Sequence, residues 1–225
     1  MLANCVVTDV LETATKRRGA SIDQDPLILT DIYKEDVNIV IWQRALSEKL
    51  SNVVQELIET RPKLQTAMTV TPQDALARMK RCFDGEEYAE LAENIAELVD
   101  MFCCLFGAKS AGMRLATLDR AMCPRFHVDK VPCRLVTTYQ GLATELLPHQ
   151  AVNRERLGAG NLGKPDNKSG LYQTQSDIQQ LSCGDVALLK GELWEGNENA
   201  GLVHRSPMIS DSQLRLVLTL DIVAD

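Results

Sequence analysis

A change in residue pattern near Gly107 constrains the fold of this chain more than any other feature of its sequence. Before it, apolar residues recur at helical spacing over residues 45–60 and 86–106. After it, short β-branched or alternating segments are typical of strands, at residues 113–118, 133–139, 186–189 and 214–220. A run of helices followed by a run of strands indicates an α+β fold with helices packed against one face of a sheet.

The same pattern predicts a division of the chain into regions. Residues 1–30 show little periodicity and are predicted to form a loosely ordered N-terminal arm. Residues 31–225 are predicted to form a single domain, with a helical support region at 37–107 and a β region at 108–225. The polar segment 153–177, rich in Gly, Asn, Lys and Gln, has two interpretations, an active-site lid or a disordered insertion.

The composition of the chain limits which binding partners and which cellular compartment are expected for it. The net charge is −7 and no block of Lys and Arg occurs, so a nucleic-acid backbone is not an expected partner. The cysteine count of 7 is odd and no Cys-x-x-Cys is present, which argues against a disulfide framework and a zinc ribbon. No signal-peptide pattern begins the chain and no apolar run approaches the ~20 residues of a membrane span. We therefore expect a cytoplasmic protein without a membrane partner.

A possible metal site is indicated by the pair His127 and Asp129, followed much later by His204. Residues i and i+2 of a strand point to the same face, so His127 and Asp129 would project together. Two histidines and one carboxylate are the ligand set of a non-haem Fe(II) site, which leaves about three coordination positions open for substrates. The chain has only 3 histidines, and two of them fall into this pattern.

Simpler and competing interpretations stay open at this stage. His127 and Asp129 alone could be a hydrogen-bonded pair at the end of a strand. Cys123 and Cys133 flank the pair and could be soft ligands that favour zinc, or small buried apolar residues. Arg215 follows His204 by eleven residues and begins an apolar strand, where a buried cation would pair with a ligand carboxylate.

Four segments of the chain resemble a known family. They read Cys-Pro-Arg-Phe-His-Val-Asp from residue 123, Thr-Thr-Tyr-Gln-Gly from 137, Gly-Asp-Val-Ala-Leu-Leu-Lys-Gly-Glu from 184 and Val-His-Arg-Ser-Pro from 203. These segments look like the domain of unknown function 1826 family, and the resemblance covers roughly residues 37–221. The family name itself implies no activity.

More distantly, the chain resembles the Fe(II)/2-oxoglutarate-dependent oxygenases, in which the order and approximate spacing of these residues recur. The resemblance implies a double-stranded β-helix, a jelly-roll related to cupins, under the N-terminal helices. It implies that His127, Asp129 and His204 bind iron, with no catalytic residue beyond these ligands. It also implies that Arg215 binds the distal carboxylate of 2-oxoglutarate and that Tyr139 hydrogen-bonds the same group.

Two positions depart from this resemblance. Gly141 and the residues after it stand where an Asn often follows the Tyr, and Arg205 directly follows the distal histidine. By strand alternation, Arg205 should face away from His204. Four further residues are predicted to line the pocket: Arg125, Thr137, Trp194 and Ser206.

The sequence therefore favours the hypothesis of a hydroxylase-like oxygenase, with a small molecule or a protein as its substrate. In this hypothesis the cofactors are Fe(II) and 2-oxoglutarate. The alternative is a zinc-binding or metal-homeostasis protein on a cupin-like scaffold, without oxygenase activity. A third hypothesis is a jelly-roll that binds no metal and serves only as an interaction module. Metal content and 2-oxoglutarate turnover distinguish the three.

Overall fold

The computed structural model describes residues 18–210 and 213–223. The first part of the predicted N-terminal arm, up to residue 17, lies outside the described residues. The prediction of a loose arm is wrong for residues 18–30, which contain a strand at Gly19–Asp23 and the start of a 3-10 helix at Pro26–Tyr33. Leu29 and Ile32 anchor this helix because both side chains are buried in the main core.

Two β-sheets organise the described chain. The seven-stranded sheet has the order β1-β2-β8-β5-β10-β4-β3, and the three-stranded sheet has the order β7-β6-β9. In the large sheet β1 pairs with β2 in parallel, and all other neighbouring strands pair antiparallel. The strands are β1 Gly19–Asp23, β2 Val37–Trp42, β3 Gln65–Val70, β4 Ala111–Leu118, β5 Cys133–Gln140, β6 Glu145–Leu147, β7 Gln179–Gln180, β8 Val186–Lys190, β9 Val203–Arg205 and β10 Arg215–Ile222.

The helices begin and end where local signals place them. The Ser47 hydroxyl accepts a hydrogen bond from the backbone of Leu50 at 3.0 Å and caps the first helix, and Gly107 ends the third at φ 61°. The helices are α1 Glu48–Thr60, α2 Ala75–Phe83, α3 Ala89–Phe106 and α4 Asp166–Ser169. Helices within 45–60 and 86–106 are thus confirmed. Among the described residues, none of the helices combines the length and apolar character needed to cross a membrane.

One face of the large sheet is covered by helices. Leu216, Leu218 and Leu220 of β10 belong to the same buried cluster as the apolar faces of α1, α2 and α3. The predicted helical region 37–107 also contains β2 and β3, so it is not purely helical. These two strands extend the sheet on either side of its centre, where their apolar side chains join the same cluster.

The other face of the large sheet meets the small sheet. Val136 of β5, Val217 of β10 and Leu189 of β8 form a second buried cluster with Leu146 of β6 and with residues of the connecting loops. The molecule is therefore a mixed α and β structure with helices, a large sheet and a small sheet in successive layers. A cavity lies between the two sheets.

The polar segment 153–177 is folded onto the outer face of the small sheet. It contains α4 and three 3-10 helices at Arg154–Arg156, Gly158–Asn161 and Gln175–Asp177. Leu171 is buried in a third cluster with Leu147 of β6 and Val203 of β9. The disordered-insertion interpretation is therefore wrong, because the segment covers apolar side chains of β6 and β9. None of its residues lines the space between the sheets described below.

Candidate metal centre

The two candidate histidines are direct neighbours across a β-bridge. The backbone N–H of His127 donates to the carbonyl of His204 at 3.0 Å, and the N–H of His204 donates back at 3.0 Å. Side chains of such a pair point to the same side of the bridge. The imidazole centroids accordingly lie 4.6 Å apart, although the residues are far apart in the sequence.

Each imidazole is held by a carbonyl two residues before it. Nδ1 of His127 lies 2.9 Å from the oxygen of Arg125, and Nδ1 of His204 lies 3.2 Å from the oxygen of Leu202. Because a carbonyl can only accept, both Nδ1 atoms must carry the proton. When such a ring is neutral, its Nε2 lone pair is available for a metal, the arrangement usual for histidine ligands.

Asp129 completes the cluster between the two rings. Its Oδ1 lies 3.5 Å from Nε2 of His127, and its Oδ2 lies 3.4 Å from Nε2 of His204. Ligand atoms from the three residues all lie within 4.8 Å of one another, and no other such group occurs in the part of the chain that the structure describes. Their chemistry and separation fit a divalent metal with two imidazole ligands and one carboxylate ligand.

The charges within the cluster favour an ionised Asp129. Burial alone would raise the pKa of this carboxyl, but hydrogen bonds with His127 and His204 and the positive charge of Arg134 hold it well below its ordinary value. The hydrogen bond with Asp129 also raises the pKa of His127. The site therefore presents a carboxylate rather than a carboxylic acid to a bound cation.

The loop that carries Asp129 is positioned by close backbone packing. The carbonyl of Asp129 accepts a hydrogen bond from the N–H of Glu192 at 2.9 Å. A Cβ at Gly191 would lie 2.0 Å from the carbonyl oxygen of Val131, closer than any side chain permits. A glycine is therefore required where the end of β8 passes the loop of Asp129.

Arg134 is a site residue that the sequence predictions did not include. Its Nη1 donates to Oδ2 of Asp129 at 2.8 Å, and its Nε and Nη2 donate to the two oxygens of Asp221 at 2.7 and 2.8 Å. One guanidinium thus bridges two carboxylates. A signal for it exists in the sequence, because Arg134, like Arg215, is a charged residue near the start of a strand that has several buried apolar residues.

Arg215 lies in the same cavity as the histidines, and its side chain is only 1% exposed. Its Nη2 donates to the hydroxyl of Thr138 at 3.3 Å, while its Nε has no hydrogen-bond partner. It forms no ion pair with any acidic side chain of residues 18–210 and 213–223. Burial lowers the pKa of Arg215 to about 10, which still leaves it a cation at neutral pH. A buried cation without a counter-ion fits an anionic ligand.

Alternation along β10 is confirmed as predicted. Arg215, Val217 and Thr219 line the cavity with the histidines, whereas Leu216, Leu218 and Leu220 face the helices. The cavity also contains one residue of the predicted pocket set, Ser206. Its full lining is Leu118, Met122, Cys123, His127, Arg134, Val136, Thr144, Leu189, His204, Arg205, Ser206, Arg215, Val217 and Thr219.

Tyr139 and Thr137 do not face this cavity, which corrects two of the predictions. Tyr139 is buried among the helices, where its hydroxyl donates to Asn94 at 2.9 Å. Thr137 lies on the same face of β5, because residues two apart in a strand share a face. Thr138 is the β5 hydroxyl that reaches the cavity side, through its contact with Arg215. The predicted role of Tyr139 in binding 2-oxoglutarate is therefore not supported.

Trp194 and Arg125 are also displaced from the predicted pocket. Trp194 packs against Tyr33 with ring centroids 5.5 Å apart and lies under the ammonium of Lys190, in a separate cavity. Arg125 contributes its carbonyl to His127, but its guanidinium forms an ion pair with Asp166 at 2.7 Å. Both side chains serve local packing and charge pairing, and neither lines the space around the histidines.

Asp166 ties segment 153–177 to the strands that carry the histidines. Besides Arg125, it accepts a hydrogen bond from the N–H of Phe126 at 2.9 Å and lies 3.6 Å from Nη1 of Arg205. The guanidinium of Arg205 covers the ring of Phe126 and pairs with Glu145 at 2.6 Å. The guanidinium of Arg205 thus points toward the outer face of the small sheet, as alternation predicted, while the residue also borders the cavity.

Comparisons with solved structures give several distant similarities. A rice dioxygenase for auxin oxidation is 11% identical with a TM-score of 0.49, covering 87% of this chain and 76% of that chain. A Pseudomonas putida prolyl-4-hydroxylase is 11% identical with a TM-score of 0.42, covering 88% and 98%. HygX from Streptomyces hygroscopicus, with iron bound, is 10% identical with a TM-score of 0.45, covering 90% and 88%.

No curated protein matches the chain. The family model described as "Protein of unknown function (DUF1826)" matches residues 23–221, which is most of the sequence. The match includes the two histidines, Asp129, Arg134 and Arg215. The chain therefore belongs to the DUF1826 family.

Proposed function

We propose that this protein is an Fe(II)- and 2-oxoglutarate-dependent oxygenase of the hydroxylase type. The observation that carries the proposal is the pairing of two unusual features in one cavity. Two imidazoles line it and converge on the carboxylate of Asp129, and the buried guanidinium of Arg215 has no anionic partner among the residues that the structure describes. The triad accounts for a metal, and the unpaired cation accounts for a carboxylate-bearing co-substrate.

The proposed metal ligands are Nε2 of His127, Nε2 of His204 and one oxygen of Asp129. With iron bound, such a site supplies dioxygen activation coupled to oxidation of a 2-oxo acid. The protein's role is to hold the imidazoles in one tautomer and to keep Asp129 ionised. The carbonyls of Arg125 and Leu202 and the hydrogen-bond donors around Asp129 perform these two tasks.

Arg215 is proposed to bind the distal carboxylate of 2-oxoglutarate. A guanidinium can donate two parallel hydrogen bonds to a carboxylate, and the unpartnered Nε is free to take part. The hydroxyl of Thr138 stands 3.3 Å from Nη2 of Arg215 and can help to orient the same group. Val136, Val217 and Leu189 supply an apolar wall that excludes water from the bound co-substrate.

The architecture proposed with this function is a double-stranded β-helix formed by the two facing sheets. The boundary expected at residue 31 moves to the start of β1, and we propose that the chain from β1 onward acts as one domain, with the helices supporting the outer face of the large sheet. The continuous cluster that joins α1, α2, α3 and the helix-facing side of the sheet supports this arrangement. The proposed substrate is a small molecule or a protein.

Zinc is the competing metal for the same three ligands. A site with three protein ligands and an open position is also typical of catalytic zinc. Cys123 lines the cavity and would be a soft fourth ligand, which favours this second candidate. Its sulfur is not part of the cluster of converging ligand atoms, however, and zinc leaves the unpaired charge of Arg215 unexplained. Iron with 2-oxoglutarate is therefore the better-supported function.

An anaerobic titration tests the proposal. Fe(II) and then 2-oxoglutarate are added to metal-free protein, and the visible spectrum is recorded beside Asp129→Ala and the matched control His149→Ala, a histidine outside the cluster. We expect a charge-transfer band in the wild-type protein and in the control, and no band in Asp129→Ala. Tight zinc binding at the same residues without any band on addition of Fe(II) and 2-oxoglutarate would contradict the oxygenase proposal and favour the zinc protein.

A further inference from the structure

The guanidinium of Arg134 stands between the candidate metal ligand Asp129 and a second carboxylate, Asp221. Arg134 and Asp221 are cross-strand partners in β5 and β10, and their two hydrogen bonds measure 2.7 and 2.8 Å. This bidentate pair orients the guanidinium at one end of the two paired strands β5 and β10. The remaining nitrogen, Nη1, is thereby directed at Asp129.

Asp129 depends on this contact because its own backbone is not part of a strand. It follows the isolated bridge of His127 and precedes the turn that leads into β5. Its side chain is 11% exposed, and the 2.8 Å hydrogen bond from Arg134 goes to Oδ2 alone. The donor of that bond comes from the sheet, whereas the acceptor comes from the loop. The sheet therefore fixes the orientation of the carboxylate.

The two oxygens of Asp129 are consequently not equivalent. Each oxygen faces one imidazole, Oδ1 at 3.5 Å from Nε2 of His127 and Oδ2 at 3.4 Å from Nε2 of His204, but Oδ2 also accepts the hydrogen bond from the charged donor Arg134. A cation that took both oxygens would have to compete with the Arg134 guanidinium for Oδ2. Loss of that hydrogen bond would also leave a partly buried guanidinium bound to Asp221 alone.

We propose that Arg134 is a positioning residue that restricts Asp129 to one metal-ligating oxygen and moderates the affinity of the site for cations. The proposal rests on the metal site of the proposed function. A ligand set of three protein atoms leaves about three positions open on an octahedral ion. A second oxygen from Asp129 would occupy one of them, so the contact preserves room for co-substrate and dioxygen. Asp221 balances the charge of Arg134 so that the site still attracts a cation.

The direction in which metal affinity changes when Arg134 is replaced separates this role from a merely structural one. If Arg134 only held Asp129 in place, its removal would misplace a ligand and weaken metal binding, as loss of an outer-shell partner commonly does. If Arg134 competes with the metal for Asp129, its removal frees an oxygen and removes a nearby positive charge. Metal binding then becomes tighter and one open position is lost.

The experiment uses Mn(II) as the probe, with full-length wild-type protein and the variants Arg134→Met, Arg134→Lys and Asp221→Asn. We expect Arg134→Met to bind Mn(II) roughly tenfold more tightly and Asp221→Asn to bind it several-fold more weakly, because the charge of Arg134 is then unbalanced. Arg134→Lys keeps the charge and should stay near wild type. Broadening of the Mn(II) EPR lines by ¹⁷O-water should report one fewer bound water in Arg134→Met.

Each outcome decides the proposal. Unchanged or weaker binding in Arg134→Met, with the same water count, overturns it. If that variant does not fold, the result for Asp221→Asn decides, and affinity equal to or above wild type overturns the charge-balancing role. A wild-type protein that binds no Mn(II) through Asp129 refutes the metal site and this inference together. Binding lost in Asp129→Ala but indifferent to Arg134 and Asp221 refutes the inference alone.

Discussion

The two faces of β5 and β10 show how the same strands support two different environments. On the face toward the helices, Leu135, Leu216, Leu218 and Leu220 are fully or almost fully buried in one apolar cluster. On the face toward the small sheet, the same strands present Arg134, Thr138, Arg215 and Thr219. Neighbouring residues in the chain thus have opposite roles.

Once the sheet is known, alternation along a strand shows which side chains contribute to stability and which contribute to the chemistry of the cavity. The helix-facing side buries apolar area, which is the main favourable contribution to folding. The opposite side contains a buried cation whose transfer from water is unfavourable without an anion. Substitutions on the first face should therefore change the free energy of unfolding, and substitutions on the second should change ligand binding.

The largest expected effect is on the helix-facing side. Leu218→Ala should reduce the free energy of unfolding by about 2–5 kcal/mol, because it removes a fully buried side chain and leaves a cavity. Metal affinity of the folded protein should not change. Denaturant unfolding and Mn(II) titration measure the two quantities separately. A large loss of metal affinity with little loss of stability would break the proposed division between the faces.

The next effect is on the cavity side. Arg215→Met should weaken 2-oxoglutarate binding to the Mn(II)-loaded protein by roughly 30- to 150-fold, since charge-assisted hydrogen bonds contribute about 2–3 kcal/mol. The free energy of unfolding should stay the same or rise, because an unpaired buried cation is replaced by an apolar group. Isothermal titration calorimetry and denaturant unfolding give both values, with exposed Arg81→Met as the control. Unchanged co-substrate affinity would remove Arg215 from the site.

The smallest expected effect concerns Tyr139, which lies on the helix-facing side of β5. Tyr139→Phe should cost about 1 kcal/mol of unfolding free energy, because the hydrogen bond to Asn94 is lost while the ring remains packed. Affinity for 2-oxoglutarate should not change. The same calorimetric titration checks this directly, and a tenfold weaker affinity would restore the role that the family resemblance implied for Tyr139.

Sequence reasoning succeeded where a regular period ran through consecutive residues. The alternation of Arg215, Val217 and Thr219 against the three leucines of β10 was readable because the strand has eight residues. It failed for Tyr139. Bends separate Asp129 from β5, so strand alternation cannot be followed from Asp129 to Tyr139. The role given to Tyr139 came from resemblance, whereas alternation within β5 assigns the cavity to Thr138.

Short strands were the other limit. β6 and β9 have three residues each and β7 has two, too few to show a period, so the small sheet could not be predicted. The β-branched run of β2 was a usable signal, but its position among the predicted helices obscured it. Asp166 and Arg134 were missed because their significance depends on partners 41 and 5 residues away.

Local patterns in the sequence were enough to predict that helices precede strands and where the long helices and central strands lie. They also identified two histidines and one carboxylate as candidate metal ligands. These features depend on local periodicity and on side-chain chemistry, which are carried by neighbouring residues. The packing of distant segments, in contrast, pairs His127 with His204 across a β-bridge, brings Arg134 to Asp129 and leaves Arg215 without a counter-ion within residues 18–210 and 213–223. Such facts depend on which strands lie side by side, because hydrogen bonds and burial between distant segments are set by the packing of the whole chain.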